Sequence, residues 1–156
     1  MKKIALILIL LFINSYSYAK IIIGKVRIID GDTIHIKKNK IRLHGIDAPE
    51  TNQTCIIDKK VWFCGRQSTK ELKKLIRDTI VKCEVNDIDI YNRFIAVCFV
   101  ETININQWMV KNGWAIAYRY YSIDYVNDED FARENKLGIW KSDFIEPYLY
   151  RKKNKN

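Results

Sequence analysis

Two β-rich runs that each carry one cysteine, "IVKCEV" (80–85) and "FIAVCFV" (94–100), restrict this chain most. The polar stretch around "DIDIYNR" separates them, so they read as the two strands of a hairpin. Reflection about the midpoint between Ile90 and Tyr91 sets Cys83 opposite Cys98. Facing residues of an antiparallel pair lie within disulfide reach. Four cysteines allow three pairings, and this register selects Cys83–Cys98, leaving Cys55–Cys64 to close a short loop. An even count paired in this way suits an oxidising compartment.

The amino terminus agrees with export. "MKK" is followed by the apolar run "IALILILLFI" and then "SYSYA", with small residues at Ser17 and Ala19. That order predicts a signal peptide over residues 1–19, cleaved after Ala19. The rival reading, a single membrane anchor, needs roughly 20 apolar residues, and the run Ile4 to Ile13 is shorter. No cysteine near the cleavage site could take a lipid anchor. Of 27 Lys and Arg, Lys2 and Lys3 leave with the signal, so 25 basic residues face 18 acidic ones, a net charge of +7. The surplus suits a polyanionic partner and says nothing about fold.

The 156 residues allow one domain with its own core, placed here at 20–150, with 151–156 ("RKKNKN") as a frayed basic tail. "IIIGKVRIID", "DTIHIKK" and "KIRLHGID" read as three strands, with turns at Asp30-Gly31 and Lys38-Asn39. Helices are predicted over Cys64 to Ile76, in "INQWMVKNG" with a stop at Asn112-Gly113, and in "NDEDFARENKLGIW" with Gly138 as cap. Five strands with a helix after the third predict an α+β fold, mainly β: a five-stranded OB-fold barrel with three packed helices.

Charged residues gather around the ends of these strands. Asp32 follows the first turn, and Arg42, Asp47 and Glu50 lie within "RLHGIDAPE". Reflection about Lys38-Asn39 places Asp32 opposite Gly45, two short of Asp47. Two converging carboxylates are costly unless a positive charge lies between them, and a hard cation is one solution. Arg42 and Asp47 are five apart and would point to opposite faces of a regular strand, so the strand must break near Gly45. Pro49 frees Glu50 to project from a loop. Asp30 reads as a turn residue, His35 and His44 as structural or surface groups, and the four tryptophans as core or loop anchors.

"IDGDT", "IRLHGIDAPET", "DIYNR", "NGWAIAY" and "ARENKLGIW" stand in the order and spacing of the staphylococcal nuclease (thermonuclease) family, which the chain resembles from about Gly24 to Trp140. The cysteines resemble those of exported bacterial members. The resemblance implies a calcium site formed by Asp32, Asp47 and the backbone carbonyl of Ala48. It implies two phosphate-gripping arginines, Arg42 and Arg93, and Glu50 as general base. Tyr91 would touch the substrate phosphate, and Tyr118 and Tyr120 would line the nucleotide pocket. The implied protein is a secreted or periplasmic monomer that cleaves DNA and RNA with little sequence preference, leaving 3′-phosphate ends. Ile90 stands where the family archetype has lysine, and Asn92 where glycine is common, which asparagine tolerates in a left-handed turn. The loop from Asn52 to Cys64 departs from the family and could reshape substrate access. Arg119 between Tyr118 and Tyr120, with Tyr121 next, leaves open which aromatic rings face the pocket. Two other readings are a barrel that holds nucleic acid or another polyanion without cutting it, and a role in exopolysaccharide production.

Overall fold

The computed structural model describes residues 20–154; the expected signal peptide lies outside them. The strands are β1 (Ile21–Gly24), β2 (Val26–Ile28), β3 (Thr33–Ile36), β4 (Asn39–Leu43), β5 (Ile46–Asp47), β6 (Cys55–Ile57), β7 (Lys60–Trp62), β8 (Val81–Ile88), β9 (Phe94–Val100), β10 (Ile103–Asn104) and β11 (Ile116–Ala117). The helices are α1 (Cys64–Ile76), α2 (Ile105–Lys111), α3 (Val126–Glu134) and α4 (Pro147–Lys153), with a 3-10 turn over Gly138–Lys141.

The main sheet runs β1-β8-β9-β4-β3-β2, and β4 and β9 are parallel. Its two edge strands, β1 and β2, are consecutive in the chain and separated only by Lys25. The sheet therefore curls on itself into a nearly closed barrel, the α+β OB-type fold expected from the pattern of strands. The first of the five expected strands splits into β1 and β2, and the third into β4 and β5. At the first split, a side chain on Gly24 would come within 2.8 Å of Ile36 Cγ2, so a larger residue there would have to displace that core methyl. Ile34, Ile36, Ile41, Leu43, Val81 and Ala96 fill the barrel, and Leu72 and Ile76 of α1 and Met109 and Val110 of α2 cover it. Trp108 and Trp114 pack against this core. Trp62 and Trp140 pack against a smaller cluster of Cys55, Cys64, Ile116 and Ile139.

Cys83 and Cys98 face each other in the β8–β9 register and form a disulfide, as do Cys55 and Cys64. Asn92 takes φ of +58° in the turn between β8 and β9. The Cys83→Ala/Cys98→Ala double variant should lose roughly 3 kcal/mol of stability in urea unfolding, the value for freeing a loop of about 15 residues. A loss below about 1 kcal/mol would show that barrel packing alone fixes this hairpin.

Four local expectations need correction. The β3–β4 turn lies at Lys37-Lys38, with Lys37 at φ +54°, so Arg42 faces Thr33 and Leu43 donates its N–H to the Asp32 carbonyl at 2.8 Å. The loop within the Cys55–Cys64 bridge is itself a hairpin, β6–β7, whose central residues Asp58 and Lys59 both take positive φ. Such turns match the twist of the flanking strands. Helix α3 ends at Glu134, before Gly138, because Lys136 already takes φ of +52° and turns the chain. The segment expected to be a frayed tail from Arg151 belongs instead to a fourth helix, started by Pro147 at its first turn.

Candidate active site

The site lies at one end of the barrel and is assembled by two turns. In the first, Ile29 N–H reaches the Thr33 carbonyl at 3.0 Å, and the Asp30 carboxylate accepts the Asp32 N–H at 3.0 Å. Asp30 is thus the turn residue expected, and burial pushes its carboxyl pKa up against the opposing charge of Arg42. In the second turn, Gly45 takes φ of +71° and breaks the strand between β4 and β5. Asn106 of α2 holds this turn, giving its side-chain N–H to the carbonyls of His44 (2.9 Å) and Ala96 (3.1 Å). The break reverses side-chain direction, so Arg42 and Asp47 meet.

Asp32 is 2% exposed and Asp47 0%, and both make ion pairs with the guanidinium of Arg42. Arg42 Nη1 donates to Asp32 Oδ1, and Nη2 donates to Asp47 Oδ1 at 2.7 Å. Asp32 Oδ1 also accepts the Thr33 hydroxyl at 3.0 Å, and Oδ2 accepts the Ala48 N–H at 2.8 Å. Burial draws the pKa of Arg42 below its ordinary value, and Asp47 pulls the other way. Buried carboxylates persist only when satisfied in this manner.

The second partner of Asp47, which engages both its oxygens, is not legible in the sequence. Arg151 of α4 donates to both its oxygens, Nη1 to Oδ1 at 2.8 Å and Nη2 to Oδ2 at 3.1 Å. The same Nη1 reaches Glu50 Oε1 at 2.9 Å. Burial works against this charge, but the hydrogen bonds and charge of Asp47, with Glu50 behind them, outweigh it and raise the pKa of Arg151.

Glu50 projects from the loop after β5, and that loop is stapled by residues that carried no periodic signal. Gln53 is fully buried; its side chain accepts the Glu50 N–H at 3.2 Å and donates to the Ile145 carbonyl at 2.6 Å. Gly65, in the first turn of α1, lies so close that a side chain there would come within 1.7 Å of the Glu50 carbonyl oxygen.

Arg93 stands apart from this cluster. Its Nε donates to Asp89 Oδ2 at 2.7 Å, and its guanidinium sits 5.5 Å from the Tyr91 ring centre. Parallel pairing sets Ile95 beside Arg42. Arg93 lies two residues earlier, just before β9 begins at Phe94. Tyr91 is 64% exposed.

Strand β11 pairs with β5, Ile116 opposite Asp47, and carries Tyr118 to the site. Burial, then the charge of Asp47, pushes the Tyr118 phenol pKa up. Its ring lies 5.1 Å from Tyr121 and 6.4 Å from both Tyr120 and Tyr148, beside a groove of about 230 Å³ that Asp47 borders. Tyr120 is 83% exposed. Arg119 also borders this groove and pairs there with the buried Glu129 of α3, which accepts the Ala117 N–H at 3.1 Å. Tyr118, Tyr120, Tyr148 and Trp140 are the aromatic residues that line the groove, and Tyr121 packs edge-on against Tyr118 and Tyr120.

Asp32 and Asp47 offer hard oxygen donors within reach of one guanidinium, a donor set that fits a calcium ion. Among the described residues, no three His, Cys, Asp or Glu side chains gather as a metal cage. A cation here would therefore complete its shell with backbone and water oxygens.

The family model described as "Staphylococcal nuclease homologue" matches residues 40–142. A protein of Haemophilus influenzae named as an uncharacterized endonuclease is 34% identical over 159 residues, 97% of this chain and 84% of the relative. A micrococcal nuclease of Shigella flexneri is 32% identical, covering 84% of this chain and 80% of the relative. The succinoglycan biosynthesis protein ExoI of Rhizobium meliloti is 31% identical, covering 85% and 72%.

Proposed function

The chain belongs to the staphylococcal nuclease family, and from that premise we propose that it is a secreted or periplasmic, calcium-dependent endonuclease acting on DNA and RNA. One observation carries this reading: Arg42, Asp32, Asp47 and Glu50 converge at one barrel end, beside a tyrosine-lined groove. Two disulfides support an oxidising location, and no helix among the described residues is long and apolar enough to cross a membrane. The chain is read as a monomer that needs no stable protein partner.

In this reading Arg42 and Arg93 grip the scissile phosphate, Arg93 exchanging Asp89 for phosphoryl oxygen. The fork of a guanidinium matches phosphate geometry, and its charge persists at any working pH. Glu50 takes a proton from the attacking water as oxygen bonds to phosphorus. The bond to O5′ breaks and O5′ takes a proton from solvent water, leaving a 3′-phosphate and a 5′-hydroxyl, while Glu50 returns its proton to solvent. Asp32, Asp47 and the Ala48 carbonyl would hold calcium, which supplies a Lewis acid for the charge developing on the phosphoryl oxygens. Tyr91 steadies the phosphate; Tyr118 and Tyr120 stack on bases, which any base permits, so sequence preference is low.

The ends of the products test this assignment. Fragments of single-stranded DNA should resist extension by a polymerase until a 3′-phosphatase has treated them. Fragments that extend directly would contradict the proposed bond cleavage.

A further inference from the structure

We propose that Arg151 is the resident counter-cation of this site and leaves Asp47 when a divalent cation binds, making α4 a latch that competes with the metal. The inference rests on the calcium reading above. Arg151 takes both oxygens of Asp47, and Arg42 shares one of them. A calcium ion on Asp47 would lie about 2.4 Å from a carboxylate oxygen. A guanidinium on the same oxygens would then face a divalent charge at contact distance, so the two cannot occupy Asp47 together.

The helix that carries Arg151 is built to let go. It has seven residues, and Pro147 is its one buried residue. Tyr148 and Leu149 are about half exposed, and the Arg151 side chain is 30% exposed. A helix this short does not hold itself together in water, so its docking depends on tertiary contacts. Here those contacts include the Arg151 pairs, Pro147 and the Tyr148 ring beside Tyr118. Giving up Asp47 removes a large part of what docks α4, and releases Glu50 from the same guanidinium nitrogen.

Calorimetric titration with calcium tests the competition, using the full chain, Arg151→Gln, and Lys152→Gln as a control of equal charge change. Arg151→Gln should bind calcium about tenfold tighter than the unaltered chain, the size expected if one charge-assisted pair is given up on binding. Lys152→Gln should shift the affinity by less than about threefold. In hydrogen exchange, the amides of residues 148–153 of the unaltered chain should exchange faster in saturating calcium. Calcium binding by the unaltered chain, with Arg151→Gln binding no tighter, would overturn the latch and leave the calcium site standing. Absence of calcium binding in all three proteins would remove the calcium reading, and the latch with it.

Discussion

Glu50→Gln is expected to slow cleavage of DNA and RNA by about 10²–10⁴-fold, the usual worth of a positioned general base. The substitution keeps the shape of the side chain and an oxygen that can accept from Arg151 Nη1, which lies 2.9 Å from Glu50 Oε1. It leaves the Gln53 staple intact, because that staple uses the Glu50 backbone. Thermal unfolding should therefore change little while kcat falls. A folded Glu50→Gln protein with near-unaltered turnover would remove Glu50 from the proton transfer.

Arg42→Ala should act on stability and catalysis together. Arg42 is mostly buried and pairs with two buried carboxylates. Breaking such a pair from one side typically costs about 3–5 kcal/mol, because a buried charge is left uncompensated. Arg151 still serves Asp47, which places the expected loss near the lower end of that range. Arg42→Lys separates the two effects. The charge remains but the fork is lost, so an ammonium cannot offer a phosphate the two parallel donors that the guanidinium offers. Urea unfolding should show a smaller loss than for Arg42→Ala, while kcat falls about 10²–10³-fold, as for loss of a donor to developing negative charge. Full activity in Arg42→Lys would contradict the assigned phosphate contact.

These effects depend on contacts of very different legibility in the chain. The β8–β9 hairpin and its disulfide follow from two short runs and a reflection, since strand pairing is local there. Helix α1 ends where the spacing of Leu72, Leu75 and Ile76 puts it. The meeting of Asp32 and Asp47 was foreseeable although the turn between β3 and β4 sits elsewhere than expected, because the break at Gly45 brings the chain back. Arg151 was not foreseeable. It lies 104 residues from Asp47, in a run of basic residues that looks like a solvated end. Its helix buries too little apolar surface to leave a period in the sequence, and Pro147 followed by a basic last turn was the one hint. Gln53 and Gly65 act by hydrogen bonding and by close backbone approach, neither of which leaves a hydrophobic pattern. Arg93 was placed with the site, but its partner Asp89, four residues away, holds it at the hairpin turn.

The most direct test of the nuclease reading is degradation of plasmid, single-stranded DNA and RNA by the purified protein, with calcium or with EDTA. All three substrates should be cut in calcium, survive in EDTA, and be cut again when excess calcium is restored. Intact nucleic acid in calcium, retained by the protein in a salt-sensitive complex, would contradict the account and leave a barrel that binds without cutting.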